Sequence, residues 1–211
     1  MPIATDATLL LAQWLSPAFP VGAFSYSHGL EVAIAQGDVV DAGSLDIWLT
    51  DILRHGGGWI DAVLIRAAMS DPIAAAEEAR ARSGAKERLF ETEQLGAAFC
   101  AQLRNVWGLD LPDCPYPVAF GIGVAELDLP PTQAISMYLH AFAGNLISAA
   151  QRLMPLGQTD AQAMLNRLAQ ICQSLAKESE GTTLDDIATA CFAGDIAAMR
   201  HETLSPRIFR T

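Results

Sequence analysis

Between Ile135 and Leu153 the apolar residues Ile135, Tyr138, Leu139, Phe142, Leu146, Ala149 and Leu153 recur at spacings of three and four. That spacing gathers them on one face of an α-helix. Pro130-Pro131 stands where a helix can begin, and Pro155-Leu156-Gly157 where it must stop. The same periodicity returns along most of the chain. Leu165, Leu168, Ile171, Cys172 and Leu175 line a second helix, and Thr159-Asp160-Ala161-Gln162 at its start has capping-box form. Leu95, Phe99, Leu103 and Val106 mark a third over Lys86 to Trp107, and Leu45, Trp48, Leu49, Ile52 and Leu53 a fourth. Gly56-Gly57-Gly58 should break that fourth helix before helix resumes over Trp59 to Met69. Shorter helices are expected at Thr8 to Leu15, Ser25 to Gln36 and Thr183 to Phe192, with Ser25 as the N-cap of the second of these.

One stretch has the period of a strand. Val118, Phe120, Ile122 and Val124 alternate with small residues. A lone strand has no partner in so helical a chain, so the stretch reads as a helix with Gly121 and Gly123 at close packing contacts. Residues 70–85 are polar and weakly patterned, which suits a surface connection or a short exposed helix. The expectation is an all-α fold, a single-domain helical bundle of about eight to ten helices. It spans residues 1–211, with 200–211 as a C-terminal docking tail.

Charge narrows the function. The formal net charge is -11, with 24 acidic residues against 13 basic ones, and a nucleic-acid phosphate backbone demands the opposite sign. No Lys or Arg precedes Arg54, so the basic stretch of a secretory signal is missing, and no apolar run reaches the length of a membrane span. Neither nucleic acid nor membrane is expected as a partner, and a cytoplasmic location follows. Cys100, Cys114, Cys172 and Cys191 form no CxxC pair and read as reduced thiols in or near the core. Hydrophobic residues make up 51% of the chain, a surplus that suits burial against a partner or a second copy.

Catalytic signatures are hard to find. Gly121-Ile122-Gly123 lacks the third glycine of a dinucleotide fingerprint, and no Gly-Lys-Ser/Thr phosphate loop exists. Ser25 and Ser27 do not lie in a Gly-x-Ser-x-Gly elbow. His28, His55, His140 and His201 are far apart, and no two share a helix face at a spacing of four. The expectation is no catalytic residue, no metal ligand and no tightly bound cofactor.

What remains is the end of the chain. Arg200-His201-Glu202-Thr203-Leu204-Ser205-Pro206-Arg207-Ile208-Phe209-Arg210-Thr211 carries three of the eleven arginines of an acidic protein. A basic peptide containing Ile and Phe has two readings: it docks on a partner, or it folds back and plugs a groove of its own body. Two further regions are candidates for a partner or dimer surface. Pro20 and Gly22 force a bend ahead of Ser25, which either makes a structural corner that closes the helix bundle or holds Tyr26 and Glu31 at a surface. Asn145, in Ala143-Gly144-Asn145, could fix helix–helix register or pair across a subunit interface, though a satisfied intrachain hydrogen bond is the more ordinary reading; Arg152 beside it is a further surface candidate.

Four segments in this order resemble the urease accessory protein UreF family. They are residues 16–31 (SPAFPVGAFSYSHGLE), 115–121 (PYPVAFG), 145–159 (NLISAAQRLMPLGQT), and the tail pieces Arg200-His201-Glu202-Thr203 and Arg207-Ile208-Phe209-Arg210. The resemblance implies an all-α homodimer without catalytic activity of its own. It implies a role in nickel loading of urease, in which such proteins bridge a UreD/UreH-type scaffold, seated on apo-urease, and the UreG GTPase. Nickel would pass in transit. The resemblance also places scaffold contact on the tail, here Arg200, His201, Glu202, Arg207, Ile208, Phe209 and Arg210. A rival role is regulation of the partner's GTP hydrolysis, with Arg200 or Arg207 completing a nucleotide site in trans.

Overall fold

The computed structural model describes residues 6–210; Met1 to Thr5 and Thr211, the last residue of the expected tail, lie outside the described residues. Among the described residues there are ten α-helices and two short 3-10 turns. In chain order the helices are α1 (Ala7–Trp14), α2 (Leu30–Gln36), α3 (Ala42–His55), α4 (Gly57–Ala68) and α5 (Pro72–Ala81). They continue with α6 (Lys86–Trp107), α7 (Tyr116–Glu126), α8 (Pro131–Leu153), α9 (Gln158–Glu178) and α10 (Phe192–His201). The fold is all-α, as expected from the periodicity.

The helix α7 lies at the centre, packed against α4 and α6. It is buried from Pro117 to Gly121 and again at Gly123 and Val124, with only Glu126 at its end exposed, so little solvent face is left to imprint a helical pattern on the sequence. That is why its residues alternate like a strand. Both glycines are close-packing sites: a Cβ on Gly121 would come within 2.5 Å of the Ile65 carbonyl oxygen, and one on Gly123 within 2.8 Å of the Trp14 ring. Trp14 in turn meets Phe99 and Phe120 edge-on, at 5.2 and 5.8 Å between ring centroids, tying α1, α6 and α7 into one aromatic core. The long helices α8 and α9 pack along each other, α3 packs on α4 and α9, and α10 lies on α2.

Helix ends follow local chemistry where it is strong. Asp41 and Ser44 form a reciprocal capping box at the start of α3. Pro72 and Pro131 occupy first-turn positions, where their missing N–H costs nothing. The polar 70–85 stretch contains α5, whose Ala75, Ala76 and Ala79 are buried.

Three expected boundaries differ. Ser25 does not cap a helix. It closes a 3-10 turn over Ala23–Ser25, and α2 waits until Leu30 because His28 and Gly29 both adopt left-handed backbone, at φ 53° and 77°. Thr159 lies inside α9, whose N-cap is Gly157. The helix expected over Thr183 to Phe192 shrinks to a 3-10 turn, Leu184–Asp186, closed by a Thr183–Asp186 box. The chain then runs extended, held where the Ala190 N–H donates to the His55 carbonyl at 3.0 Å. Helix returns only at Phe192 and carries on to His201, taking the first residues of the expected tail into α10.

Candidate functional site

The tail folds back on its own body around a buried cluster of charge. His201, at 0% exposure, ends α10 with both ring nitrogens facing carboxylates. Its Nδ1 lies 2.7 Å from Glu87 Oε2 on α6, and its Nε2 lies 3.1 Å from Glu31 Oε2 on α2. Glu31 also receives the returning chain: the Ile208 N–H donates to Oε1 at 2.7 Å and the Phe209 N–H to Oε2 at 3.0 Å. Burial pushes the Glu31 carboxyl up, but the two backbone N–H groups and His201 outweigh it and hold the group below its ordinary value. Glu87 completes the cluster by pairing with Arg207.

Further bonds fasten the rest of the tail. The Arg210 N–H donates to the Ser25 carbonyl at 2.9 Å, and Arg200 donates to Gln36 at 2.8 Å. Glu202 accepts from the Lys86 N–H at 2.9 Å, supplying the start of α6 with a cap that Ala85 has no side chain to give. Phe209, 3% exposed, fills the groove beneath, and the Arg152 guanidinium sits 4.2 Å from its ring centroid. Arg152 also donates to the Phe24 carbonyl at 2.6 Å, so α8 holds the tail and the 3-10 turn together.

Of the tail residues singled out in the sequence, His201 and Phe209 are thus turned inward. Ile208 faces out, at 68% exposure. The surface position expected for Tyr26 and Glu31 is corrected: both are buried, Glu31 because it captures the tail and Tyr26 because it closes a cavity. Pro20 is exposed, Gly22 turns the chain at φ 83°, and Ser25 offers the tail its carbonyl. Asn145 is half-buried and lines the same cavity as Tyr26, apart from the tail cluster that Arg152 joins. Glu87 drew no notice in the sequence, being one acid among many on a charged helix face.

The cavity holds about 80 Å³ beneath the 15–28 segment, with His28, Asp61, Arg88, Glu91, Tyr138 and Asn145 among its polar lining. His28 Nε2 lies 2.8 Å from Glu91 Oε1, and Arg88 pairs with Glu91. Burial, aided by Arg88, pushes the His28 imidazole below its ordinary value. Asp61 accepts from the Tyr138 hydroxyl at 2.8 Å, and burial pushes its carboxyl up to about 6. Among the described residues no three His, Cys, Asp or Glu side chains stand close enough together to hold a metal ion.

The outer face of α10 is built the wrong way round for a helix that ends at its own core. It buries Gly194, Ala197 and Ala198 and turns Phe192, Ile196 and Met199 outward, at 71, 47 and 49% exposure. Those three follow i, i+4, i+7 spacing and form one apolar stripe.

Comparison with known proteins fits this picture. The family model for UreF matches residues 39–169. A urease accessory protein UreF of Cereibacter sphaeroides (strain KD131) is 52% identical over 207 residues, covering 97% of this chain and 99% of the relative. Counterparts of the same description in Roseobacter denitrificans and Ruegeria pomeroyi are 46% identical (99% of this chain, 96% of theirs) and 47% identical (96% of each). With the family model matching more than half of the chain and near full-length likeness to these relatives, the chain belongs to the UreF family of urease accessory proteins.

Proposed function

We propose that this chain is a non-enzymatic adaptor, a chaperone of urease maturation. It joins a UreD/UreH-type scaffold to the UreG GTPase so that nickel reaches apo-urease. It works as a cytoplasmic homodimer, with nickel in transit and no tightly held cofactor. The observation that carries the reading is the inverted packing of the C-terminal end. The helix α10 presents Phe192, Ile196 and Met199 to the outside, while the clasp that follows spends its polar groups inside the chain. Ile208 extends the apolar set from the tail itself.

The clasp gives the tail residues a shared purpose in this scheme. Arg200, Arg207, Arg210, His201 and Glu202 hold the terminal segment in shape, and the side chains left outside supply apolar anchors to the scaffold. Arg200 and Arg207 are engaged with Gln36 and Glu87, an arrangement that suits positioning of the tail better than completing a nucleotide site in trans.

Co-purification with the cognate scaffold and GTPase, sized by light scattering, tests the reading. Three forms are compared: the full chain, Ile196→Glu and Ile208→Glu. Both variants place a charge where the chain's own core is untouched, and buried anchors of this kind typically contribute about 2 kcal/mol or more. The full chain is expected to give a defined ternary complex and the two variants to lose the scaffold. Retention of the scaffold by both variants would remove the docking role of this end. Failure of the full chain to bind either protein would overturn the adaptor reading.

A further inference from the structure

Away from the tail, two of the four cysteines meet. Cys100 Sγ on α6 and Cys114 Sγ, in the segment leading into α7, lie 3.8 Å apart, both buried. They lie fourteen positions apart in the chain, and the fold brings them together through one glycine. Gly96 lies one turn before Cys100 on the same face of α6. A Cβ there would come within 1.9 Å of the Cys114 carbonyl oxygen, so only glycine lets the 114–116 backbone lie flat on the helix. The Tyr116 N–H is held by Thr92 Oγ1 at 3.3 Å, and Arg104 ties the segment down from the other side. Its guanidinium donates to the Leu111 carbonyl and to Asp113 Oδ1, both at 2.9 Å.

The pair is asymmetric. The Cys114 thiol and backbone N–H both point hydrogen-bonding capacity at Cys100, and Arg104 adds positive charge, so Cys100 is drawn toward the thiolate. Cys114 is driven the other way, by its bond to Cys100 and by burial, and keeps its proton. One sulfur is thereby prepared as nucleophile and its neighbour as resolving thiol. Cys172 is different: burial alone pushes its thiol up, to about 12.

We propose that Cys100 and Cys114 form a peroxide-oxidised dithiol that reversibly clamps α6 to the start of α7. The Cys100 thiolate attacks one oxygen of hydrogen peroxide. An S–O bond forms, the O–O bond breaks, and the hydroxide released takes a proton to leave as water. The Cys114 sulfur then attacks the Cys100 sulfenic acid. The S–S bond forms, the S–O bond breaks, and the second hydroxide leaves as water with the Cys114 proton. Two thiols supply two electrons to one peroxide, and two waters result. A small dithiol returns the pair to its starting state.

Access is provided by the segment's own position. Asp110, Pro112 and Asp113 are exposed, and the segment between α6 and α7 has no helix of its own, so local opening of this segment lifts Cys114 away and uncovers Cys100 to peroxide. The consequence falls on the cavity beneath the 15–28 segment. Tyr116, two residues past Cys114, forms part of its wall, and a covalent clamp would hold that wall rigid.

The test uses the full folded chain with hydrogen peroxide as the only oxidant. Free thiols are then blocked by an alkylating agent and the products mapped by mass spectrometry without reduction. The expected product is a single cross-linked peptide pair carrying Cys100 and Cys114, lighter by two hydrogens and restored by dithiothreitol. Oxidised protein should melt roughly 5–10 °C higher, since the bond closes a short loop of the unfolded chain. Cys172→Ala should leave the cross-link in place, while Cys114→Ser should stop Cys100 at a sulfenic acid that a dimedone-type reagent traps. Recovery of both thiols free after peroxide, or their appearance in other pairings, would overturn the proposal.

Discussion

Glu31 is the residue on which the tail depends. Its carboxylate accepts two backbone N–H groups from the tail and faces His201, so it satisfies in one place what would otherwise be orphaned donors. In Glu31→Gln one oxygen becomes an NH2 group and the charge is lost, leaving at least one buried donor facing another donor. The expected cost is about 2 kcal/mol, felt by the tail rather than by the whole fold. Trypsin reads it directly, because the bond after Arg207 can be cut only when the clasp is open. Cleavage there should quicken by roughly thirtyfold, while the melting temperature of the body barely moves. The same residue sets an acid limit. A carboxyl held below its ordinary value of 4.5 stabilises the clasp fully above that pH and loses the contribution as pH falls further. Protection of the Ile208 and Phe209 amides, relative to their unstructured exchange rates, should therefore fall below about pH 4.5 and hold steady above it. Nothing in the sequence announces this cluster. Glu31 and His201 lie 170 residues apart, and each taken singly is an ordinary polar side chain.

At the scale of elements, legibility depends on whether a helix has one wet face. The helix α6 runs from Lys86 to Trp107, the limits its sequence predicts, because charged residues on one side outline the apolar stripe on the other. The helix α7 hides its period by being buried around most of its girth. The region after Thr183 misleads for a different reason, since a long-range bond from Ala190 to His55 holds extended a stretch whose composition would allow helix. Contacts at Gly96 are likewise invisible in one dimension. Gly96→Ala sets a methyl group against the Cys114 carbonyl and the Pro115–Tyr116 backbone, which cannot turn aside as a flexible side chain would. The substitution is expected to destabilise the protein by about 3 kcal/mol, against a gain in helix propensity of about 1 kcal/mol. Denaturant unfolding of the variant measures the difference; a neutral result would mean that α7 can move off α6 without loss.

For the molecule as a whole, the charged side chains gathered at the cavity wall are a standing burden on stability. Asp61 lines it and its carboxyl is raised from 3.8 to about 6, chiefly by burial, with Arg88 and the Tyr138 hydroxyl opposing. An acid raised in the folded state favours folding while protonated. Stability should fall as pH climbs from 3.8 through about 6 and level off above, the reverse of the Glu31 effect. A shift of that size corresponds to about 3 kcal/mol. Asp61→Asn retains an oxygen to accept from Tyr138 and discards the charge. Its unfolding free energy is expected to match the wild-type protein at pH 4 and exceed it by about 2–3 kcal/mol at pH 8. Equal differences at both pH values would show that the carboxyl is solvated in the folded state. A fold that keeps such a charge beside His28, Arg88 and Glu91, when an amide would be more stable, retains the polarity of its cavity at the expense of stability. Residues with that profile belong to function more often than to scaffolding. If the chain is the adaptor proposed above, docking falls to its outer surface, and loss of Asp61 in the charged interior should weaken urease activation without weakening the ternary complex. Co-purification of Asp61→Asn with both partners, followed by assay of urease activation, separates the two.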